Sequence, residues 1–168
     1  MNAVPTRTQI LDQAAVQRKI KRMALEIAEQ NTGENELVIA GISGNGETVA
    51  RCIAEELKKI ASIQVTPVRI RLDKGNPIVV TLEPSLSIEN KTVLIADDVA
   101  NTGRTMFFAL KPFLNSLPKK VQTLALVERS HKEYPVHTDY TGLSIATTLQ
   151  EHIAVEVEGE KIVGAWLF

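Results

Sequence analysis

Between positions 12 and 30 the apolar residues Val16, Ile20, Met23, Ala24 and Ile27 recur at helical spacing, so the segment is predicted to be a helix that buries one face. Asn31-Thr32-Gly33 ends it. Glu36 to Ile42 (ELVIAGI) is a nearly unbroken apolar run, as expected of a strand covered on both faces. A glycine-rich turn, Ser43 to Gly46, follows. Thr48 to Ile60 returns to helical spacing, with Val49, Ile53 and Leu57 inward. Gln64 to Leu72 reads as a strand whose alternating Arg69 and Arg71 leave one face solvated or functional. Asp73 to Pro77 is a turn, and Ile78 to Leu82 is a hairpin partner. Thr92 to Ala96 is a second buried strand, Thr105 to Leu117 the helix after it, and Val121 to Val127 the next strand. Ile153 to Val157 and Lys161 to Phe168 are two short strands around Gly159. This alternation of helix and buried strand predicts an α/β fold, with a central, mostly parallel sheet flanked by helices. Ligands in such sheets bind beyond the carboxyl ends of the strands. No repeat or low-complexity segment interrupts the pattern.

Composition narrows the function classes. The chain has 168 residues, which suits a single domain spanning 1–168, and 44% are apolar, enough for a sizeable core. The net charge is −1 and the pI near 6.3, so nucleic acid could be held only by a local basic patch. The lone cysteine, Cys52, cannot form an internal disulfide and reads as a small buried hydrophobe. Met1 to Gln9 holds no long apolar run, and no stretch approaches the ~18 apolar residues of a membrane span. A cytoplasmic protein without a membrane partner is expected.

The chemistry concentrates in Val93-Leu94-Ile95-Ala96-Asp97-Asp98-Val99-Ala100-Asn101-Thr102-Gly103-Arg104-Thr105. The apolar run makes a central strand, and two adjacent carboxylates stand where it ends. Side chains alternate along a strand, so one acid can reach ribose hydroxyls while the other lies beside it or acts through the backbone. Gly103 lets the backbone approach a ligand closely. Thr102 and Thr105 offer hydroxyls, and the helix start offers free N–H groups, which together make a phosphate cradle. Acids for a sugar diol beside a nest for its phosphate are what a ribose 5-phosphate requires. A receiver domain also uses an acid pair, but near its first strand and with a phosphoacceptor Asp further on; here the pair is mid-chain and no later strand end carries a suitable Asp.

In order and context, Val93 to Thr105 resembles the signature with which type I phosphoribosyltransferases bind 5-phosphoribosyl-1-pyrophosphate (PRPP), departing mainly at Ala96. The resemblance implies that Asp97 and Asp98 contact the ribose 2′- and 3′-hydroxyls. It implies that Ala100, Asn101, Thr102, Gly103, Arg104 and Thr105 bind the 5-phosphate, and that Mg²⁺ is held chiefly by ligand oxygens with no direct protein ligand. Ile10 to Asn31, Leu37 to Glu56 and Leu126 to Thr148 extend the similarity to one branch, the pyrimidine-operon attenuation regulators that are also uracil phosphoribosyltransferases. Ser43, Gly44, Asn45 and Gly46 then form the pyrophosphate loop, with Asn45 where the family usually has Arg or Lys. A small hood is expected from about 67–90, the C-terminal strands 150–168 being a second candidate for it. Arg71 and Lys74, with Arg69 beside them, are the candidate catalytic cations. Leu143, Ser144 and Ile145, in a loop that lacks the expected Lys after Gly142, would line the base pocket. Glu47 reads as a helix cap.

Arg18, Lys21 and Arg22 share a helix face opposite the core stripe. In the attenuator branch such a surface binds messenger RNA; the plain alternative is a solvated face partly neutralised by Glu26 and Glu29. His131 has no Cys or acid pair at metal-ligand spacing. The expected function is Mg²⁺-dependent transfer of phosphoribose from PRPP to a nucleobase, uracil favoured, giving a nucleoside monophosphate, in a homodimer that also binds mRNA. The alternatives are a catalytically weak, nucleotide-sensing RNA-binding regulator and a transferase for a purine or another base.

Overall fold

The computed structural model describes residues 6–168; the first five residues of the Met1–Gln9 stretch lie outside the described residues. A six-stranded sheet runs β4-β3-β2-β5-β6-β7. Its members are β2 (Glu36–Ile42), β3 (Gln64–Leu72), β4 (Val80–Glu83), β5 (Thr92–Ala100), β6 (Lys120–Arg129) and β7 (Tyr140–Ile145). All neighbours are parallel except β3 and β4, which form an antiparallel hairpin. A second, antiparallel sheet of order β1-β9-β8 joins β1 (Thr8–Asp12) to β8 (Ile153–Glu158) and β9 (Lys161–Leu167).

The two apolar runs seen in the sequence, β2 and β5, are the central pair, and nearly all their residues are buried. One face of the sheet is covered by α1 (Gln13–Gln30) and α2 (Asn45–Ile60). Val16, Ile20, Met23 and Ile27 pack there with Val49, Ile53 and Leu57, and the second sheet adds Val155, Ile162 and Ala165. The other face is covered by α3 (Arg104–Ala109) and a 3-10 turn at Lys111–Phe113, with Met106, Ala109 and Phe113 against Val38, Val93 and Ile95. The Asp12 side chain caps α1 by accepting the Ala15 N–H at 2.7 Å. From β2 the chain steps outward to β3, then returns to β5 and moves the opposite way. The junction of β2 and β5 is therefore the topological switch point, where crevices open at the carboxyl ends of the strands.

The structure departs from the sequence pattern in five places. The helix expected over 105–117 ends at Ala109, because Pro112 has no N–H to donate and its ring would collide with the Phe108 carbonyl. β5 continues to Ala100, so the two acids lie within the strand rather than after it. The segment 67–90 contributes β3 and β4 to the large sheet, since Val68, Ile70 and Leu72 need its core; the separate small sheet consists of β1 and the C-terminal strands. β1 was not legible, because TQILD is mostly polar and leaves only Leu11 buried. Gly142 to Ile145, expected as a loop, lie in the edge strand β7. There Gly142 lies so close to β6 that a Cβ would run into the Leu126 carbonyl oxygen. Gly142→Ala is accordingly expected to push β7 from β6 and to destabilise the protein by about 2–3 kcal/mol in urea unfolding, the usual cost of overpacking.

Candidate active site

Asp97 and Asp98 stand at the switch point, 2% and 9% exposed. Each accepts a backbone N–H from the residue after it: Asp98 N to Asp97 Oδ1 at 2.9 Å, and Val99 N to Asp98 Oδ1 at 2.8 Å. Two side chains from other elements complete the group. Lys74, in the turn between β3 and β4, places Nζ 3.4 Å from Asp97 Oδ1 and 3.9 Å from Asp98 Oδ1. Asn45, the first residue of α2, donates from Nδ2 to Asp98 Oδ2 at 3.1 Å and to the Val155 carbonyl at 2.9 Å. That amide ties the glycine-rich loop, the acid pair and the second sheet together. Gly46 fits beneath them because a Cβ there would meet Ala96 O at 3.0 Å and Asp97 Oδ1 at 3.1 Å. Burial, and then the charge of Asp98, push the Asp97 carboxyl up to about 7, against the pull of Lys74.

After β5, residues 100–105 wrap a cavity of about 50 Å³ that Asp97, Val99 and Met106 also line. The carbonyls of this loop face away from the cavity into a supporting segment. Lys132 Nζ takes Ala100 O at 3.4 Å and Asn101 O at 3.2 Å, and the Glu133 and Tyr134 N–H groups take Thr102 O at 2.9 and 3.1 Å. Among the described residues the Thr102 and Gly103 N–H groups donate to no protein group. A concave run of free N–H groups attracts an anion. Gly103 has φ 86°, and a Cβ on it would meet Val136 O at 3.2 Å and Tyr134 O at 3.3 Å. Its smallness therefore protects the contact with the supporting segment, not the approach of a ligand. Helix α3 begins here, but with six residues it adds less dipole than the longer helix expected.

The remaining candidates divide. Arg71 stays out of the crevice: it pairs with Glu83 across the hairpin at 2.8 Å, because its position in β3 puts it on the same solvated face as Arg69. Arg69 pairs with Glu47 at 2.5 Å, while the other oxygen of Glu47 caps α2 by accepting Gly44 N–H. Both arginines are thus answered by carboxylates, and Lys74 alone of the three cations reaches the acids. Arg104 reaches across to the Gly75 carbonyl at 3.4 Å, linking the 100–105 loop to the turn that carries Lys74. Leu143 and Ile145 pack on the core from β7, leaving only Ser144 exposed among the three residues expected to meet the base. A larger hollow of about 700 Å³ opens between α2 and β3, past Arg69 and Glu83, and contains neither acid nor any residue of the phosphate loop.

The chain matches the phosphoribosyl transferase domain over residues 6–159. It is 34% identical to the bifunctional protein PyrR of Leuconostoc mesenteroides, covering 92% of this chain and 95% of that one. To the bifunctional protein PyrR of Oceanobacillus iheyensis it is 36% identical, over 90% and 91% of the two chains. The chain belongs to the phosphoribosyltransferase family, in the branch of PyrR. Its fold is also that of the hypoxanthine phosphoribosyltransferase of Trypanosoma cruzi, with a TM-score of 0.79 at 19% identity over 94% of this chain and 95% of that one. The hypoxanthine-guanine phosphoribosyltransferase of Bacillus anthracis gives a TM-score of 0.76 at 20% identity over 94% and 96%.

In this phosphoribosyltransferase, reasoning from the sequence missed Arg129, whose guanidinium donates to Asn101 Oδ1 at 3.1 Å. The signal was a basic residue at the end of a strand, two positions past the apolar run Leu124 to Val127. On α1, Arg18 and Lys21 are exposed, whereas Arg22 folds back to the Thr141 and Gly142 carbonyls at 2.8 and 2.9 Å and pairs with Glu26.

The acid pair has a consequence for stability. An Asp97 whose native pKa is raised from 3.8 to about 7 binds a proton in the folded state that the unfolded chain has already lost. Stability from this group is full below pH 3.8 and is lost as pH rises through about 7. Asp97→Asn lacks that dependence. Urea unfolding of both proteins from pH 5 to 8 is expected to show the wild type losing stability relative to the variant as pH rises. A constant difference across the range would mean that Asp97 is already ionised at pH 5.

Proposed function

We propose that this protein transfers the phosphoribosyl group of PRPP to a nucleobase nitrogen, with uracil favoured, and releases pyrophosphate. The observation that carries the reading is the acid pair beside a loop of unpaired N–H groups at one switch point. The loop takes the 5-phosphate. Asp98, whose oxygens already accept the Asn45 and Val99 donors, and Asp97 accept hydrogen bonds from the ribose hydroxyls. The bond from ribose C1′ to the pyrophosphate oxygen breaks as the bond to the base nitrogen forms, and positive charge develops on the ring as in glycosyl transfer. The acids stabilise that charge from beneath the sugar, and Lys74 stands ready for the negative charge on the departing pyrophosphate. Among the described residues no group of three His, Cys, Asp or Glu gathers to hold a metal. A Mg²⁺ ion that takes most of its oxygens from phosphates and water fits the two acids, and when bound it would neutralise the pyrophosphate. No helix among the described residues is long and apolar enough to cross a membrane, and a cytoplasmic homodimer is the assembly that suits this reading.

A pyrophosphate-release assay with PRPP and Mg²⁺ across a nucleobase panel tests the reaction, with uracil expected to give the highest rate. No release with any base would leave the regulator alternative. The pyrophosphate loop carries the amide of Asn45 in place of a cation, so PRPP is expected to bind more weakly than a nucleoside monophosphate. Asn45→Arg is expected to tighten PRPP about tenfold by calorimetry, as a charge-assisted hydrogen bond would, with little change for the monophosphate. Equal PRPP affinity in both proteins would show that Lys74 already supplies the charge.

RNA binding is the second activity proposed, supported by the two exposed cations of α1 and by the bifunctional PyrR relatives. Arg18→Glu with Lys21→Glu is expected to abolish binding to a structured loop of the protein's own pyrimidine transcript and to spare nucleotide binding. The logarithm of the wild-type affinity should fall with that of salt concentration, with a slope of about −0.7 per phosphate neutralised. Equal, weak binding of an unrelated RNA would reduce this face to a solvated one.

A further inference from the structure

The end of β6 holds a charge that the chemistry above leaves unused. Arg129 is 8% exposed. One terminal nitrogen donates to Asn101 Oδ1 at 3.1 Å and the other to the Thr148 carbonyl, while Nε is buried with no partner. Neither acceptor is a carboxylate, and among the described residues Arg129 makes no ion pair. Glu151 feels the charge, but its carboxyl is held low first by the Thr148 N–H. Lys132, the other cation behind the loop, is different: it is answered by Glu128 at 3.1 Å and serves to hold the Ala100 and Asn101 carbonyls.

A guanidinium stays protonated at any ordinary pH. The protein therefore keeps a positive charge out of water with no carboxylate in contact with it, an arrangement that is costly unless an anion arrives. The direction of its hydrogen bonds says where that anion sits. Asn101 belongs to the loop whose N–H groups are unpaired, and with its oxygen committed to Arg129, its NH₂ is the end left to meet a ligand. Helix α3, six residues long, cannot supply the roughly half charge of a long helix at this point.

We infer that Arg129 is a positioning residue for the 5-phosphate of the substrate, acting through Asn101. The phosphate dianion is the counter-ion that the buried guanidinium lacks. The inference rests on the reading that residues 100–105 hold that phosphate. It adds a specificity: the site prefers the dianion, because the charge behind the loop is permanent and shielded from water.

Ribose 5-phosphate, which carries the phosphate and the diol but no base, is the probe. Its affinity and the second pKa of its bound phosphate are read by ³¹P NMR for the wild type, Arg129→Lys, Arg129→Met and the double variant Thr102→Val with Thr105→Val. In the wild type the bound phosphate should titrate below its free value of about 6. Arg129→Met should weaken binding at least about tenfold and return the phosphate to its free pKa, whereas Arg129→Lys should keep the depressed pKa. A folded Arg129→Met with unchanged affinity and unchanged phosphate pKa overturns the inference. If that variant does not fold, a wild-type bound phosphate that titrates at its free value overturns it equally. The threonine variant isolates the underlying reading: undiminished binding there, or no binding by the wild type at millimolar ligand, removes the loop as the phosphate site. Loss of binding in the threonine variant beside an indifferent Arg129→Met would sink the role of Arg129 alone.

Discussion

Two carboxylates on consecutive residues of a strand buried on both faces are costly to hold, since each must give up water for whatever the fold supplies. Much of the molecule is arranged around that demand. Asp98 is answered by the Val99 N–H and by the amide of Asn45, and Asp97 by the Asp98 N–H and by Lys74. These partners come from β5 itself, from the start of α2 and from the β3–β4 turn, so the acids fix how three elements converge on one point. Lys74 is the weakest of these attachments. It is about half exposed and lies on a turn, and a ligand can displace it without disturbing the sheet.

The 100–105 loop, proposed to hold the phosphate, meets the opposite demand. A turn that is to bind an anion must expose its N–H groups and hide its carbonyls, although every residue carries both. Here the segment 129–134 provides the donors that hide them: Lys132 takes two carbonyls and the Glu133 and Tyr134 N–H groups take a third. Gly103 is part of the same device, since any side chain on it would press on the Tyr134 and Val136 carbonyls. The cradle is thus made by the end of β6 and residues 130–136 as much as by the loop.

This explains which parts of the site could be read along the chain. The central strands were legible because burial on both faces leaves an unbroken apolar run, and the acid pair because carboxylates at the end of such a run have few structural uses. The length of α3 was misjudged because apolar spacing continued through Phe113, while a single proline decided where the helix stopped. The alternation of Arg69 and Arg71 marks a strand face that is either solvated or functional, and the sequence does not say which. In the structure Arg71 pairs with Glu83. The contacts of Arg129 and Lys132 with the loop could not be read for a different reason: they join residues some thirty positions apart, and only the parallel pairing of β5 with β6 brings them together.

At position 45 an amide stands beside the acid pair. A cation there would face Asp98 directly and compete with Lys74 for the acids. Asn45 instead satisfies Asp98 with one donor without adding charge, and its other contact, the Val155 carbonyl, anchors the small sheet over the crevice. The positive charge of the site is thereby divided between Lys74 on the exposed turn, beside the acids, and Arg129 in the buried strand end, behind the phosphate loop. Burial and the neighbouring Asp98 raise the Asp97 carboxyl to about 7, so the buried strand resists holding both charges at once.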